Sequence, residues 1–103
     1  MKIIGEEEFK NEILELKDLV LVDFFATWCG PCKMLAPVLE KVAEENTDVK
    51  IYKVDVDQDS NLAMDYDVEV VPTVVFLKEG KELDRVTGFV DKTTIVEKIE
   101  NYK

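Results

Sequence analysis

Histidine is absent from this chain, and only two of its 103 residues are cysteine. Without an imidazole, proton transfer at any active site falls to a carboxylate, a lysine or water. A tetrahedral zinc site needs about four ligands, so two thiols would hold zinc only by sharing ligands across a dimer. Basic residues are scarce, 13 against 23 acidic ones, for a net charge of −10. That balance argues against nucleic acid and anionic membrane as partners, because both attract positive surfaces. Its plain consequences are solubility and long-range steering. Long hydrophobic runs are missing too. The run Leu19 to Val22 is interrupted by Asp23 and falls far short of a membrane span. Met1-Lys2-Ile3-Ile4-Gly5-Glu6 holds no apolar segment of the signal-peptide kind. With its cysteines confined to one short stretch, the chain is expected in a reducing cytosol.

What is present is an ordinary globular composition, 47% hydrophobic and 35% charged. The length suits one domain, residues 1–103, around one core. Both cysteines lie in Trp28-Cys29-Gly30-Pro31-Cys32-Lys33, after an apolar run, Leu19 to Ala26, and before an amphipathic one, Met34 to Asn46. A Cys-x-x-Cys pair at a strand-to-helix junction reads as a redox site. With Cys29 at the helix start and Cys32 one turn in, their Cα atoms fall about 5 Å apart, within the range a disulfide tolerates. Pro31 occupies the first turn, where its missing N–H is harmless. Gly30 leaves one side of Cys29 uncovered. The free N–H groups and the positive end of the helix dipole favour a Cys29 thiolate, while Cys32, further inside, stays a thiol. One nucleophile and one resolving thiol make a two-electron switch. A purely structural role is the weaker reading, because so short a disulfide loop removes little chain entropy.

Asp23 is an ionisable group within an apolar strand. Desolvation raises its pKa and fits it to accept the Cys32 proton, directly or through a water; the bland alternative is a carboxyl that only bonds backbone. Lys53 is placed to partner Asp23 from an adjacent strand; otherwise it is a strand lysine with its head in solvent.

Along the chain, Lys2 to Ile4 reads as a short edge strand and Glu6 to Leu16 as a helix with Phe9, Ile13 and Leu16 on one side. Leu19 to Ala26 is a central strand covered on both faces. Met34 to Glu45 is a helix that Pro37 kinks without ending. Val49 to Val56 is a third strand. Asp59 to Asp65 is a short helix with Leu62 and Met64 as its apolar members. Val68 to Pro72 is extended, Thr73 to Leu77 and Glu82 to Thr87 form a hairpin about Glu79-Gly80, and Asp91 caps a last helix. The order β-α-β-α-β-α-β-β-α calls for an α/β fold, with parallel strands joined by right-handed crossovers and an antiparallel final hairpin. The expected result is a three-layer arrangement, a mixed five-stranded sheet with four helices on both faces.

Ala26-Thr27-Trp28-Cys29-Gly30-Pro31-Cys32-Lys33 closely resembles the active site of the thioredoxin family, and the likeness covers essentially the whole chain. Asp23 six residues before Cys29, Pro37, Lys53, Asp57, Val71-Pro72-Thr73, Gly80 and Gly88 all fall on matching positions. The resemblance implies a protein disulfide reductase in which Cys29 attacks and Cys32 resolves, re-reduced by a thioredoxin reductase and acting on disulfide-containing client proteins. It implies no metal or organic cofactor, since the Cys29–Cys32 disulfide is itself the redox group, and a monomer is expected. It also implies a cis Pro72 that turns the Val71 backbone toward Cys29, where an extended client segment adds as a strand. Trp28, Gly30, Pro31, Val71, Pro72, Gly88 and Phe89 would then form the client-binding rim, with Asp57 as acceptor for the Trp28 indole N–H. The main departure is Phe25, where many thioredoxins carry Trp; it removes an indole beside the site and is expected to touch no catalytic role. Two rivals remain. A scaffold using the same rim without turnover is disfavoured by the intact cysteine pair and Asp23, and a glutaredoxin-like or isomerase-like enzyme is disfavoured by Gly30-Pro31.

Overall fold

The strand Val20–Phe25 (β2) is buried along its whole length because both of its faces are apolar. Val20, Val22 and Phe24 pack into one core cluster, while Leu21 with neighbouring Leu19 packs into another on the opposite side. In this computed structural model, which describes residues 1–103, that strand is the centre of a five-stranded sheet. Lys2–Ile3 (β1), Lys50–Asp55 (β3), Thr73–Lys78 (β4) and Lys81–Thr87 (β5) complete it in the order β1-β3-β2-β4-β5. β1, β3 and β2 run parallel, and β4 and β5 are antiparallel to their neighbours. The helices divide between the faces. Glu6–Glu8 (α1) and Ser60–Asp65 (α3) lie on the side of Val22 and Phe24, where Phe9, Ile13 and Leu62 are buried. Gly30–Glu45 (α2) and Lys92–Tyr102 (α4) cover the other side through Leu35, Leu39, Val42, Ile95 and Ile99. The expected mixed sheet with helices on both faces is the fold observed, with one correction: β4, joined to β3 through α3 and so expected parallel, runs antiparallel to β2 and hence to β3, because the stretch between α3 and β4 reverses the chain once more.

Three local expectations are corrected. The helix read over Glu6 to Leu16 is regular only at Glu6–Glu8; Phe9–Ile13 is a π-helical turn, closed by the Leu14 N–H donating to the Phe9 carbonyl at 3.4 Å. The wider turn still buries Phe9 and Ile13, and beyond it the Leu16 carbonyl accepts the Glu79 N–H at 3.0 Å. In α3, Ala63 is buried rather than Met64, which is 72% exposed. In so short a helix the inward face is set by the loops at its ends, which hydropathy does not report. Finally, the regular helix begins at Gly30 rather than at Met34, where the amphipathic run starts; Cys29 is at the helix start and Cys32 one turn in, as expected, and the helix continues through Pro37.

The odd-numbered row of β2 on the α2 side reads Leu19, Leu21, Asp23, Phe25, so one carboxyl interrupts an otherwise apolar layer. Phe76 of β4, opposite Leu21, is wholly buried in that layer. Phe76→Ala should lower the free energy of unfolding by about 3–5 kcal/mol, since the lost transfer energy adds to the cavity left behind. Urea unfolding checks this, with the shift expected in the midpoint and little change in slope.

Candidate active site

Cys29 is the N-cap of α2. Its backbone is extended, and its sulfur accepts the Cys32 N–H at 3.1 Å. This is one of the free N–H groups of a helix start, used here by sulfur where a Ser or Asp oxygen would otherwise serve. Gly30 and Pro31 follow as the first helical residues, so Cys32 comes round one turn later. The two cysteines are joined as a disulfide with Cα atoms 5.3 Å apart. Cys29 is less open than expected beside Gly30. It is 3% exposed, packed with Phe25, Ala26 and Cys32, and partly buried Val71 leans on the same cluster.

Several residues that the family resemblance put at the rim lie near Cys29 or are tied to one another. The Val71–Pro72 bond is cis, and the Val71 carbonyl oxygen lies 3.7 Å from the Cys29 sulfur. The Gly88 N–H donates to the Pro72 carbonyl at 2.8 Å, and Gly88 itself takes φ +75°, a conformation suited to glycine. That bond ties the turn after β5 to the segment before β4. Phe89 is 45% exposed beside it, and Trp28, far from being a core residue, is 69% exposed with its indole N–H donating to Asp57 at 2.9 Å. Arg85 adds a tie the sequence did not suggest: its guanidinium donates to the Tyr66 carbonyl at 2.8 Å and pairs with Glu82, joining β5 to the end of α3. Nothing in local spacing marks a contact between residues so far apart in the chain.

Asp23 is 0% exposed, and neither carboxylate oxygen accepts a hydrogen bond from the protein. Burial pushes its pKa up to about 6, against a smaller downward pull from Lys53. Asp23 and Lys53 are register partners on β2 and β3, as expected, but they form no ion pair. The Lys53 ammonium sits instead over the Phe25 ring, 4.3 Å from its centroid. A cavity of about 240 Å³ opens there, lined by Phe25, Ala26, Thr27, Cys32, Lys33, Ala36 and Lys53. It gives solvent a route toward the inner cysteine. No group of three or more His, Cys, Asp or Glu side chains is gathered as metal ligands.

The family model for thioredoxin matches residues 1–101. The chain belongs to the thioredoxin family. A thioredoxin of Chlamydia trachomatis is 43% identical over 103 residues, covering 100% of this chain and 99% of that protein. Thioredoxin-2 of Saccharomyces cerevisiae is 51% identical over 81 residues, 79% of this chain and 78% of that one. The X-ray structure of Fasciola hepatica thioredoxin superposes with a TM-score of 0.90 at 40% identity, covering all of both chains. Thioredoxins are disulfide oxidoreductases, and dithiol/disulfide exchange at the Cys29–Cys32 pair is the chemistry of this one. As a class they work with their own disulfide and, in general, with a reductase and disulfide-bearing clients. No helix of this chain is long and apolar enough to cross a membrane.

Proposed function

We propose that residues 1–103 act as one domain, a monomeric cytoplasmic reductase of protein disulfides. The observation that carries the division of labour is the hydrogen bond from the Cys32 N–H to the Cys29 sulfur at the start of α2. In the dithiol form that donor, with the helix dipole, favours negative charge on Cys29 over Cys32. The Cys29 thiolate attacks one sulfur of a client disulfide; a Cys29–client bond forms, and the other client sulfur leaves as a thiolate and takes up a proton. Cys32, losing its proton, then attacks the Cys29 sulfur. The Cys29–Cys32 disulfide forms, the client leaves reduced, and two electrons have passed to it.

Asp23 serves as the acceptor of the Cys32 proton. Its buried carboxyl titrates close to neutrality, which suits a group that must take and release a proton at working pH. The client lies across Trp28, Gly30, Pro31, Val71, Pro72, Gly88 and Phe89. Half-buried Val71 offers its main chain for pairing with an extended client segment, and the exposed Trp28 and Phe89 rings offer apolar contact. A thioredoxin reductase returns the dithiol by the reverse exchange. The test is insulin disulfide reduction in the presence of dithiothreitol or a cognate reductase. Catalysis well above the dithiothreitol background is expected. A rate equal to that background, from protein whose two thiols titrate normally, would remove the reductase reading and leave a rim that only binds.

A further inference from the structure

Lys53 and Asp23 are paired across adjacent parallel strands on the same side of the sheet, yet cation and carboxyl do not meet. Phe25 stands two residues beyond Asp23 on the same face of β2 and holds the ammonium over its ring. We propose that Phe25 is a positioning residue, whose ring seats the Lys53 ammonium at the mouth of the pocket behind Cys32 and so withholds that cation from Asp23. The proposal rests on the reading of Asp23 as acceptor of the Cys32 proton and explains what keeps that carboxyl available for the task.

The physical reason for the seat is solvation. Asp23 is 0% exposed, so an ammonium drawn against it would lose its water on every side. Over the Phe25 ring the ammonium meets the negative π face on one side and the open pocket on the other. No other cation competes closely for Asp23. Lys33 lines the pocket from α2, on its outer side. Asp55, next on the same face of β3, is turned to accept the Asp57 and Gln58 N–H groups. Val74 and Phe76 of β4, Leu35 and Leu39 of α2, and Ile95 and Ile99 of α4 fill the rest of that layer and carry no charge. The two cysteines packed with Phe25 are joined as a disulfide and carry no titratable thiol in the oxidised protein.

The experiment follows the Asp23 carboxyl by carbon NMR through a pH titration of the oxidised protein. The variants are Phe25→Leu, Phe25→Trp, Lys53→Met and the Phe25→Leu/Lys53→Met pair. Phe25→Leu keeps apolar bulk and removes the ring face; freed, the ammonium moves toward Asp23, and the midpoint falls by about 1 pH unit. Phe25→Trp keeps a ring face and leaves the midpoint near its original value. Lys53→Met raises the midpoint, and in that background Phe25→Leu moves it no further. The acid limb of the pH profile for insulin reduction moves in the same direction as the titration. A midpoint that stays or rises in Phe25→Leu overturns the proposal, as does an equal fall when Lys53 is absent, which would make Phe25 mere packing. The titration needs no turnover, so its result stands apart from the insulin assay; absent insulin reduction in the unmodified protein overturns the reductase reading alone.

Discussion

Cys29→Ser should abolish insulin reduction, with a loss of at least ~10³-fold, because a serine hydroxyl at neutral pH is a far weaker nucleophile than a thiolate. The fold should survive. The residue contributes an N-cap acceptor at the start of α2, and serine is a good N-cap. Cys32→Ser should lose turnover as fully but by another route. Cys29 still attacks, no second thiol resolves the adduct, and a mixed disulfide with the client accumulates. Non-reducing gels with mass spectrometry of the adduct separate the two variants. Trapping by Cys29→Ser and not by Cys32→Ser would reverse the assigned roles.

Asp23→Asn should stabilise the protein near pH 8 by about 3 kcal/mol and change it by less than about 1 kcal/mol near pH 4. The carboxyl titrates at about 6 in the folded chain, against 3.8 for an ordinary Asp, with burial as the leading cause. Below the lower value the group is neutral folded or unfolded and no charge is buried. As pH rises from there to about 6, only the unfolded chain ionises freely, and stability falls by about 1.4 kcal/mol per pH unit. Above about 6 both states are ionised and the loss is complete. Asparagine never ionises, so it escapes that loss. Urea unfolding of both proteins at the two pH values gives the comparison. A variant less stable at pH 8 would mean that the Asp23 carboxylate is well paired. Turnover should move the other way, slowed at the step in which Cys32 gives up its proton; unchanged turnover would remove Asp23 from the proton path.

Much of the redox centre was legible in the sequence because its chemistry is local. A thiol at a helix start, a second thiol one turn in and a proline between them constrain one another through backbone geometry alone. The Trp28–Asp57 bond and the cis Val71–Pro72 bond came from the family resemblance; composition and periodicity are silent on both. The parallel part of the sheet followed from alternation and connection length, since β1, β2 and β3 are linked through helices and return parallel; β4, linked to β3 through α3, does not, because the stretch between α3 and β4 adds a reversal that helix-crossover reasoning does not foresee. Less legible were features set by distant contacts or by a choice among rotamers. Three apolar positions, Phe9, Ile13 and Leu16, do not separate a 3.6-residue turn from the wider one observed. Lys53 was correctly placed beside Asp23, but whether its long side chain turned to the carboxyl or to Phe25 depended on solvation that spacing does not encode. That Phe25 shares a sheet face with Asp23 and carries the Lys53 ammonium over its ring was likewise not legible from spacing. The cluster in which Asp84 accepts from Lys98 at 2.6 Å and from Tyr102 at 3.1 Å, joining β5 to α4, was equally invisible.

The most direct test of the central claim is alkylation of the fully reduced protein by iodoacetamide across pH, with each modified cysteine identified by peptide mass. Cys29 should react at least ~10-fold faster than Cys32 at pH 7, with a midpoint below the ~8.5 of a free thiol. Equal rates at the two sulfurs, faster reaction at Cys32, or a Cys29 midpoint at or above that of a free thiol would contradict it.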